Sequence, residues 1–313
     1  FGLWLDEKGV HARIGRVIEI DRSAGTVKRE VLRLSGDASG ATLGRWTSHV
    51  FAGPQDVDPG FRDIDLAVDG GTAPAWLCRP ARPSGNVWSI HIHGIQTTRV
   101  TALRTVPAAL AAGHTVLVPS FRGDGDGPPT ARGVSTLGQT EWRDVDAALA
   151  YAVDQGATSI VLVGWSMGAT IALLLAERSS YRRLISRMVL VAPATNWRRV
   201  IRNGIASAKL PPFTGRLTEY ALEGRALSKL VGLPEPLILD ELEWDSLRRI
   251  SVPCLIIHSD GDTDVPFSLT QRFQDANPAT VEVVQFPSAF HAWEYNLDSA
   301  HFDDVVRDWL TAA

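Results

Sequence analysis

The sequence predicts an α/β fold. A mostly parallel sheet of eight strands is flanked by helices, with a small helical cap and an N-terminal β-hairpin extension. Three observations lead there. Short, continuous apolar runs of the kind buried in parallel sheets recur along the chain, as at Val87–Ile92 and Thr115–Pro119. Helix-like stretches of roughly 10–15 residues separate the later runs, which implies βαβ crossovers. The length of 313 residues suits one large α/β domain with additions.

Residues 1–60 read differently from the remainder and are expected to form an extension. Val17-Ile18-Glu19-Ile20 and Thr26-Val27-Lys28-Arg29-Glu30-Val31 are β-prone runs around Asp21-Arg22-Ser23-Ala24-Gly25, a hairpin signal. Residues 35–60 are rich in Gly, Ser, Asp and Pro and read as a long connector. From 61 onward eight strands are predicted, at 61–68, 75–78, 87–92, 115–119, 160–163, 188–191, 254–257 and 281–284. Helices are predicted at 98–112, 139–155, 167–179 and 301–312. The interval 198–250 breaks this rhythm with helical fragments and four prolines, Pro211, Pro212, Pro234 and Pro236. It reads as a cap inserted into a catalytic domain that spans 61–313.

Composition excludes several classes. Hydrophobic residues at 45% and charged residues at 21% are ordinary globular values and rule out wholesale disorder. A net charge of −4 argues against a general nucleic-acid binder. The two cysteines, Cys78 and Cys254, are too few for a disulfide scaffold, and they are expected to be free and buried. No apolar run is long enough to span a membrane. Only four of the 31 basic residues are lysines, a bias typical of a GC-rich bacterial genome. The chain begins Phe1-Gly2-Leu3-Trp4, without Met, as a fragment or processed form would. An upstream signal peptide or membrane anchor is therefore held open, and with it an extracytoplasmic or membrane-anchored location; otherwise the location is cytoplasmic.

The chemistry concentrates at Gly164-Trp165-Ser166-Met167-Gly168, a G-x-S-x-G pattern. Alone it is a weak signal. Here it follows the apolar run 159–163 and precedes the helical run 169–177, so it occupies a strand-to-helix turn. Such a turn pushes the serine out of the sheet's carboxyl edge, and the glycines leave room for it. A serine hydroxyl needs a base, and the base needs an orienting acid. Asp260, Asp262 and Asp264 lie on the loop after the strand at 254–257. His291 lies on the loop after the last strand, whereas His301 falls in the first turn of the final helix. Trp165, beside Ser166, either borders an acyl site or packs internally. The glycine-rich loop Phe121-Arg122-Gly123-Asp124-Gly125-Asp126-Gly127-Pro128-Pro129 reads as a structured turn pinned by Arg122 and its aspartates, and less readily as a polar ligand site. His91 and His93 form a His-x-His pair without a third metal ligand.

In combination these pieces resemble an α/β-hydrolase over about residues 61–313. The resemblance is carried by His93-Gly94 after the third strand, the Gly164–Gly168 motif, Asp262 ahead of Val265-Pro266, and His291. It selects Asp262 among the three aspartates, because the family's acid lies three residues before a Val-Pro pair. It implies a catalytic triad of Ser166, Asp262 and His291. It also implies an oxyanion hole from the backbone N–H groups of Met167 and Ile95, with Gln96 as the alternative second donor. Trp165 and Gln96 are the substrate-binding candidates, and no metal or cofactor is implied. The expected function is a serine hydrolase of carboxylic esters acting on a small-molecule or lipid-like acyl ester. A serine peptidase or amidase of the prolyl-oligopeptidase-like or dienelactone-hydrolase-like kind would use the same triad. A non-catalytic binding protein is the reading from another class. Leu210, Phe213, Leu217, Tyr220, Leu222, Leu227 and Leu230 in the cap are expected to pack it onto the body or to line an acyl pocket. Oligomeric state is not legible in the sequence.

Overall fold

The computed structural model describes residues 1–245 and 248–312, so Ser246 and Leu247 of the expected cap and Ala313 lie outside the described residues. The first strands form an antiparallel sheet. β1 (Gly2–Leu5), β2 (Val10–Asp21), β3 (Thr26–Leu34) and β4 (Arg45–Thr47) take the order β3-β2-β1-β4. The hairpin turn between β2 and β3 follows from its residues. Asp21 Oδ1 accepts from the N–H groups of Ser23 and Ala24, and Gly25 supplies the left-handed conformation at φ +64°. The extension is more than a hairpin, and residues 35–60 are more than a connector. β1 and β4 are short, and their pairing with each other spans 45 positions at Gly2↔Thr47 only because both ends of the segment meet; no local periodicity announces it.

The second sheet has eight strands. They are β5 (Arg62–Val68), β6 (Gly71–Cys78), β7 (Val87–Ile92), β8 (Thr115–Pro119), β9 (Ser159–Trp165), β10 (Ile185–Val191), β11 (Cys254–Ser259) and β12 (Val281–Phe286). Their order is β12-β11-β10-β9-β7-β8-β6-β5. β6 pairs antiparallel with β5 and β8, and every other pairing is parallel. The parallel strands are covered on both faces, which is why they read as unbroken apolar runs. Helix Met167–Arg178 is buried from Met167 through Leu175, so its sequence is apolar nearly all round. A helix that the sequence pattern does not announce, Phe267–Ala276, carries the chain from β11 to β12 and buries Leu269, Phe273 and Ala276.

Strand register decides where the loops meet. Ile92 of β7 lies opposite Gly164 of β9. Trp165 of β9 lies opposite Val191 of β10, Val191 opposite Ile257 of β11, and Ile257 opposite Val284 of β12. The carboxyl ends of these strands therefore form one row. From β7 the chain passes to β8 on one side and then crosses to β9 on the other. That reversal of strand order is where an open α/β sheet leaves a crevice.

The cap region holds helices Trp197–Ser207, Phe213–Glu223 and Arg225–Leu230. Arg198 ties it together, with ion pairs to Glu219, Glu223, Asp240 and Glu243. The expected packing or lining role of its apolar residues is overturned for five of them. Leu210, Phe213, Leu217, Tyr220 and Leu230 are exposed, and only Leu222 and Leu227 are half-buried. The buried apolar side chains of the interval are instead Leu233, Leu237, Leu239, Leu242 and Trp244. No helix among the described residues is long and apolar enough to cross a membrane.

Two glycine substitutions separate close approach from mere propensity. A Cβ on Gly168 would lie 2.3 Å from the Ile92 carbonyl oxygen, whereas one on Gly204 would meet nothing within 4 Å. Gly168→Ala is expected to cost on the order of 3 kcal/mol in denaturant unfolding. Gly204→Ala, on an exposed helical position, is expected to add about 0.5–1 kcal/mol.

Candidate active site

Ser166 is the residue between β9 and helix Met167–Arg178, and its backbone is strained, with φ +53° and ψ −112°. Such a conformation costs a non-glycine residue about 1–3 kcal/mol, and surrounding contacts must hold it. Here the Ser166 N–H donates to the Val191 carbonyl at 2.9 Å, and its own carbonyl accepts from Ala169 and Ala194. The flanking glycines are sterically required. A Cβ on Gly164 would sit 2.5 Å from the Gly168 carbonyl oxygen. The turn sets the side chain at the crevice, against Gly94, whose Cβ position is 3.2 Å from that of Ser166. The helix N-terminus adds partial positive charge there.

The structure brings Ser166, His291 and Asp262 together. Ser166 Oγ is 2.8 Å from His291 Nε2, and His291 Nδ1 is 2.6 Å from Asp262 Oδ2. An ionised carboxylate only accepts, so Nδ1 carries the imidazole proton and Nε2 is free to accept from the Ser166 hydroxyl. Asp262 is held on every side. Its Oδ1 accepts from the Asp264 and Val265 N–H groups, each at 2.9 Å, and its Oδ2 also accepts from His258 Nε2 at 3.1 Å. Burial alone would raise its pKa. The hydrogen bonds from His258 and His291, the charge of His291 and the Val265 N–H outweigh that and hold it well below the usual carboxylate range. For His291 burial acts downward, but the hydrogen bond and charge of Asp262, with Asp264 and Glu294 behind, raise its pKa. The pair can therefore take a proton from a hydroxyl and keep the resulting imidazolium stable. Asp260 instead accepts from Gln285, and His301 lies in the first turn of the last helix, exposed.

A cavity of about 220 Å³ opens beside Ser166, walled by Gly94, Ile95, Gln96 and Arg104 among others. Ile95 lines this cavity and Met167 follows Ser166 directly, and among the described residues neither backbone N–H donates to a protein acceptor. Gln96 holds a left-handed conformation at φ +56° on the same wall. Trp165 is 1% exposed yet is among the residues lining this cavity, and its ring packs against the Arg104 guanidinium and the Phe302 ring.

Other residues that support the site lie outside the sequence expectations. Ser259 Oγ donates to the Pro287 carbonyl and accepts from the Ala289 N–H at 2.7 Å and the Gly261 N–H at 3.2 Å. It thereby joins the Asp262 loop to the His291 loop. His258 donates to Asp262 and uses Nδ1 on Thr270 at 2.7 Å. Its only sequence signal is its place at a strand end, four residues before the acid. His258, Asp262 and Glu294 bring donor atoms within 4.8 Å of one another, but His258 and Asp262 spend those atoms on hydrogen bonds. The His-x-His pair does not converge. His91 bonds Thr105 and Ser89, while His93 stacks on Phe121 and bonds Asp124. The glycine-rich loop after β8 is a pinned turn. Asp124 accepts from the Phe121, Asp126 and Gly127 N–H groups, and Arg122 pairs with Asp144 at 2.6 Å. Both cysteines are free and buried, and burial pushes the Cys78 thiol up to about 12.

The expected long connector also reaches this site. Ser48 lines the cavity, and its carbonyl accepts from Asn296 Nδ2 at 3.1 Å. The Phe1 ring packs 5.5 Å from that of Trp293, two residues past His291.

Comparison with known proteins bears on the fold. A family model described as "Alpha/beta hydrolase family" matches residues 90–307, and one described as a domain of unknown function (DUF8805) matches residues 1–47. No curated protein matches the sequence. Among solved structures, the esterase Pf2001 of Pyrococcus furiosus superposes with a TM-score of 0.61 at 20% identity, covering 86% of this chain and 96% of that one. An alpha-beta serine hydrolase homologue from Coxiella burnetii gives 0.53 at 20% identity, over 80% and 97%. The carboxylesterase EstE1, from a metagenomic library, gives 0.56 at 16% identity, over 80% and 88%. At these identities the likeness is one of fold.

The Ser259 tie is open to direct measurement. Ser259→Ala removes the partner of the half-buried Ala289 N–H and of the Pro287 carbonyl, and is expected to lower unfolding free energy by about 0.5–1.5 kcal/mol in urea.

Proposed function

The chain belongs to the alpha/beta hydrolase family, and we propose that it is a serine hydrolase of carboxylic esters. One observation carries the reading: the unbroken hydrogen-bonded line from Ser166 Oγ through His291 to the fully partnered Asp262 carboxylate. In the proposed reaction the Ser166 oxygen attacks the acyl carbonyl while His291 Nε2 takes the hydroxyl proton. The carbonyl oxygen becomes an oxyanion that the Met167 and Ile95 N–H groups receive. Each such donor is worth about 10²–10³ in rate. The intermediate collapses, the bond to the alcohol oxygen breaks, and the imidazolium returns its proton to that alcohol. Water then attacks the acyl-enzyme, giving up a proton to His291, which passes it to the Ser166 oxygen as the ester bond to the serine breaks and the carboxylic acid leaves. Asp262 keeps the imidazole in the tautomer that every step needs.

The choice of ester over amide is supported by two of the structural neighbours, the esterase Pf2001 and the carboxylesterase EstE1. A fluorophosphonate probe is expected to label Ser166, and p-nitrophenyl esters to be turned over in preference to aminoacyl-anilides. Cleavage of the anilides alone would move the reading to a peptidase, and absence of labelling in the folded protein would remove it altogether.

The identity of the acid has its own test. Asp262→Asn reverses the donor at the His291 contact and is expected to lower kcat by about 10³–10⁴. Asp260→Asn and Asp264→Asn change residues that make no side-chain bond to His291 and are expected to cost less than about 10-fold. Equal losses in steady-state assays of the three variants would reject Asp262 as the acid.

A further inference from the structure

The cavity beside Ser166 contains a charge that the proposed reaction does not use. Arg104 is 1% exposed and forms part of the cavity wall. Its Nε donates to the Thr101 carbonyl at 3.0 Å, and its Nη1 to the Ala292 carbonyl at 2.6 Å and Asn296 Oδ1 at 3.1 Å. All three acceptors are neutral, and Nη2 has no protein acceptor among the described residues. A buried arginine is ordinarily matched by a carboxylate. Here Glu294 makes no hydrogen bond to the guanidinium and acts on it only through its field. Burial brings the guanidinium down to about 9, so it stays charged at neutral pH.

The position of this cation matters as much as its charge. The guanidinium carbon lies 3.8 Å from the centre of the Trp165 ring, and Trp165 precedes Ser166. Ala292, which Arg104 holds, follows His291. Arg104, Ser166 and His291 thus line one cavity of about 220 Å³. The remaining polar wall, from Ser48, Gln96, Thr97 and Thr101, is uncharged. Asp264, the acidic residue of the lining, is exposed, so water screens it.

We infer that Arg104 is a specificity-determining residue that receives a carboxylate on the acyl part of the substrate, making the preferred substrate a hemi-ester of a short dicarboxylic acid. This rests on the serine-hydrolase reading above. Ester cleavage proceeds as described, and the distal carboxylate completes the guanidinium's hydrogen bonding without entering the chemistry.

The test compares matched p-nitrophenyl esters on the wild-type protein: the hemi-ester of glutaric acid against the pentanoate, and that of adipic acid against the hexanoate, each corrected for spontaneous hydrolysis. A charge-assisted contact predicts kcat/KM about 10- to 100-fold higher for the acidic member of at least one pair. Arg104→Gln is expected to bring that ratio to about one or below, and Arg104→Lys to keep part of it. A wild-type ratio of one or less in both pairs overturns the inference. So does an Arg104→Gln variant in which acidic and neutral esters lose rate equally, since a purely structural role would move both alike. Neutral-ester turnover and Ser166 labelling report on the hydrolase reading separately. If both are absent, that reading fails and this inference falls with it.

Discussion

The structure depends most on one close backbone approach. Helix Met167–Arg178 meets β9 and β7 at Gly164 and Gly168, where a Cβ on either would lie 2.3–2.5 Å from a carbonyl oxygen. No other residue type allows the helix to start this near the sheet. That contact forces the positive φ of Ser166, and three backbone hydrogen bonds keep it there. The helix terminus, the adjacent turn after β7 and the hydroxyl are thus fixed relative to one another before any catalytic partner is considered. Strand register does the rest, because the ends of β11 and β12 fall in the same row as β9.

Electrostatics then builds outward in layers. Asp262 is buried yet ionised because four donors converge on it. Its fixed charge determines which nitrogen of His291 bears the proton, and that in turn determines what Ser166 can donate to. Behind these groups, His258 and Ser259 hold the acid and its loop, so neither loop has to find its place alone. Arg104 belongs to the same construction from the opposite side. It fixes the backbone after His291 through Ala292 and forms part of the cavity wall.

The amino-terminal sheet joins this arrangement through few but well-placed contacts. Phe1 lies against Trp293, Arg33 pairs with Asp56 at 2.7 Å, and Ser48 reaches the cavity wall. The family model for the hydrolase body and the one for residues 1–47 do not overlap, but the stretch between them contributes to the site.

The sequence by itself determined the features that local physics dictates. Apolar runs such as Val87–Ile92 are strands because they are buried on both faces, and the observed bounds equal the expected ones. The Gly164–Gly168 motif names its own serine because the glycines have no other steric purpose. Loop position was enough to choose His291 over His301. Among the three aspartates local reasoning left the choice open, and the resemblance to the family, whose acid lies three residues before a Val-Pro pair, pointed to the residue that meets His291. What only the tertiary structure decided is what depends on distant partners. β1 and β4 carry no periodic signal and exist because they pair across the extension. Leu210, Phe213, Leu217, Tyr220 and Leu230 of the cap face outward, whereas Leu233, Leu237, Leu239, Leu242 and Trp244 of the same interval are buried, a division that no local pattern announces. Trp165 packs inward because Arg104 and Phe302 receive its ring. Arg104 itself is one arginine among many in the sequence. Its meaning comes from contacts 188 and 192 residues away, which only folding brings within hydrogen-bond reach.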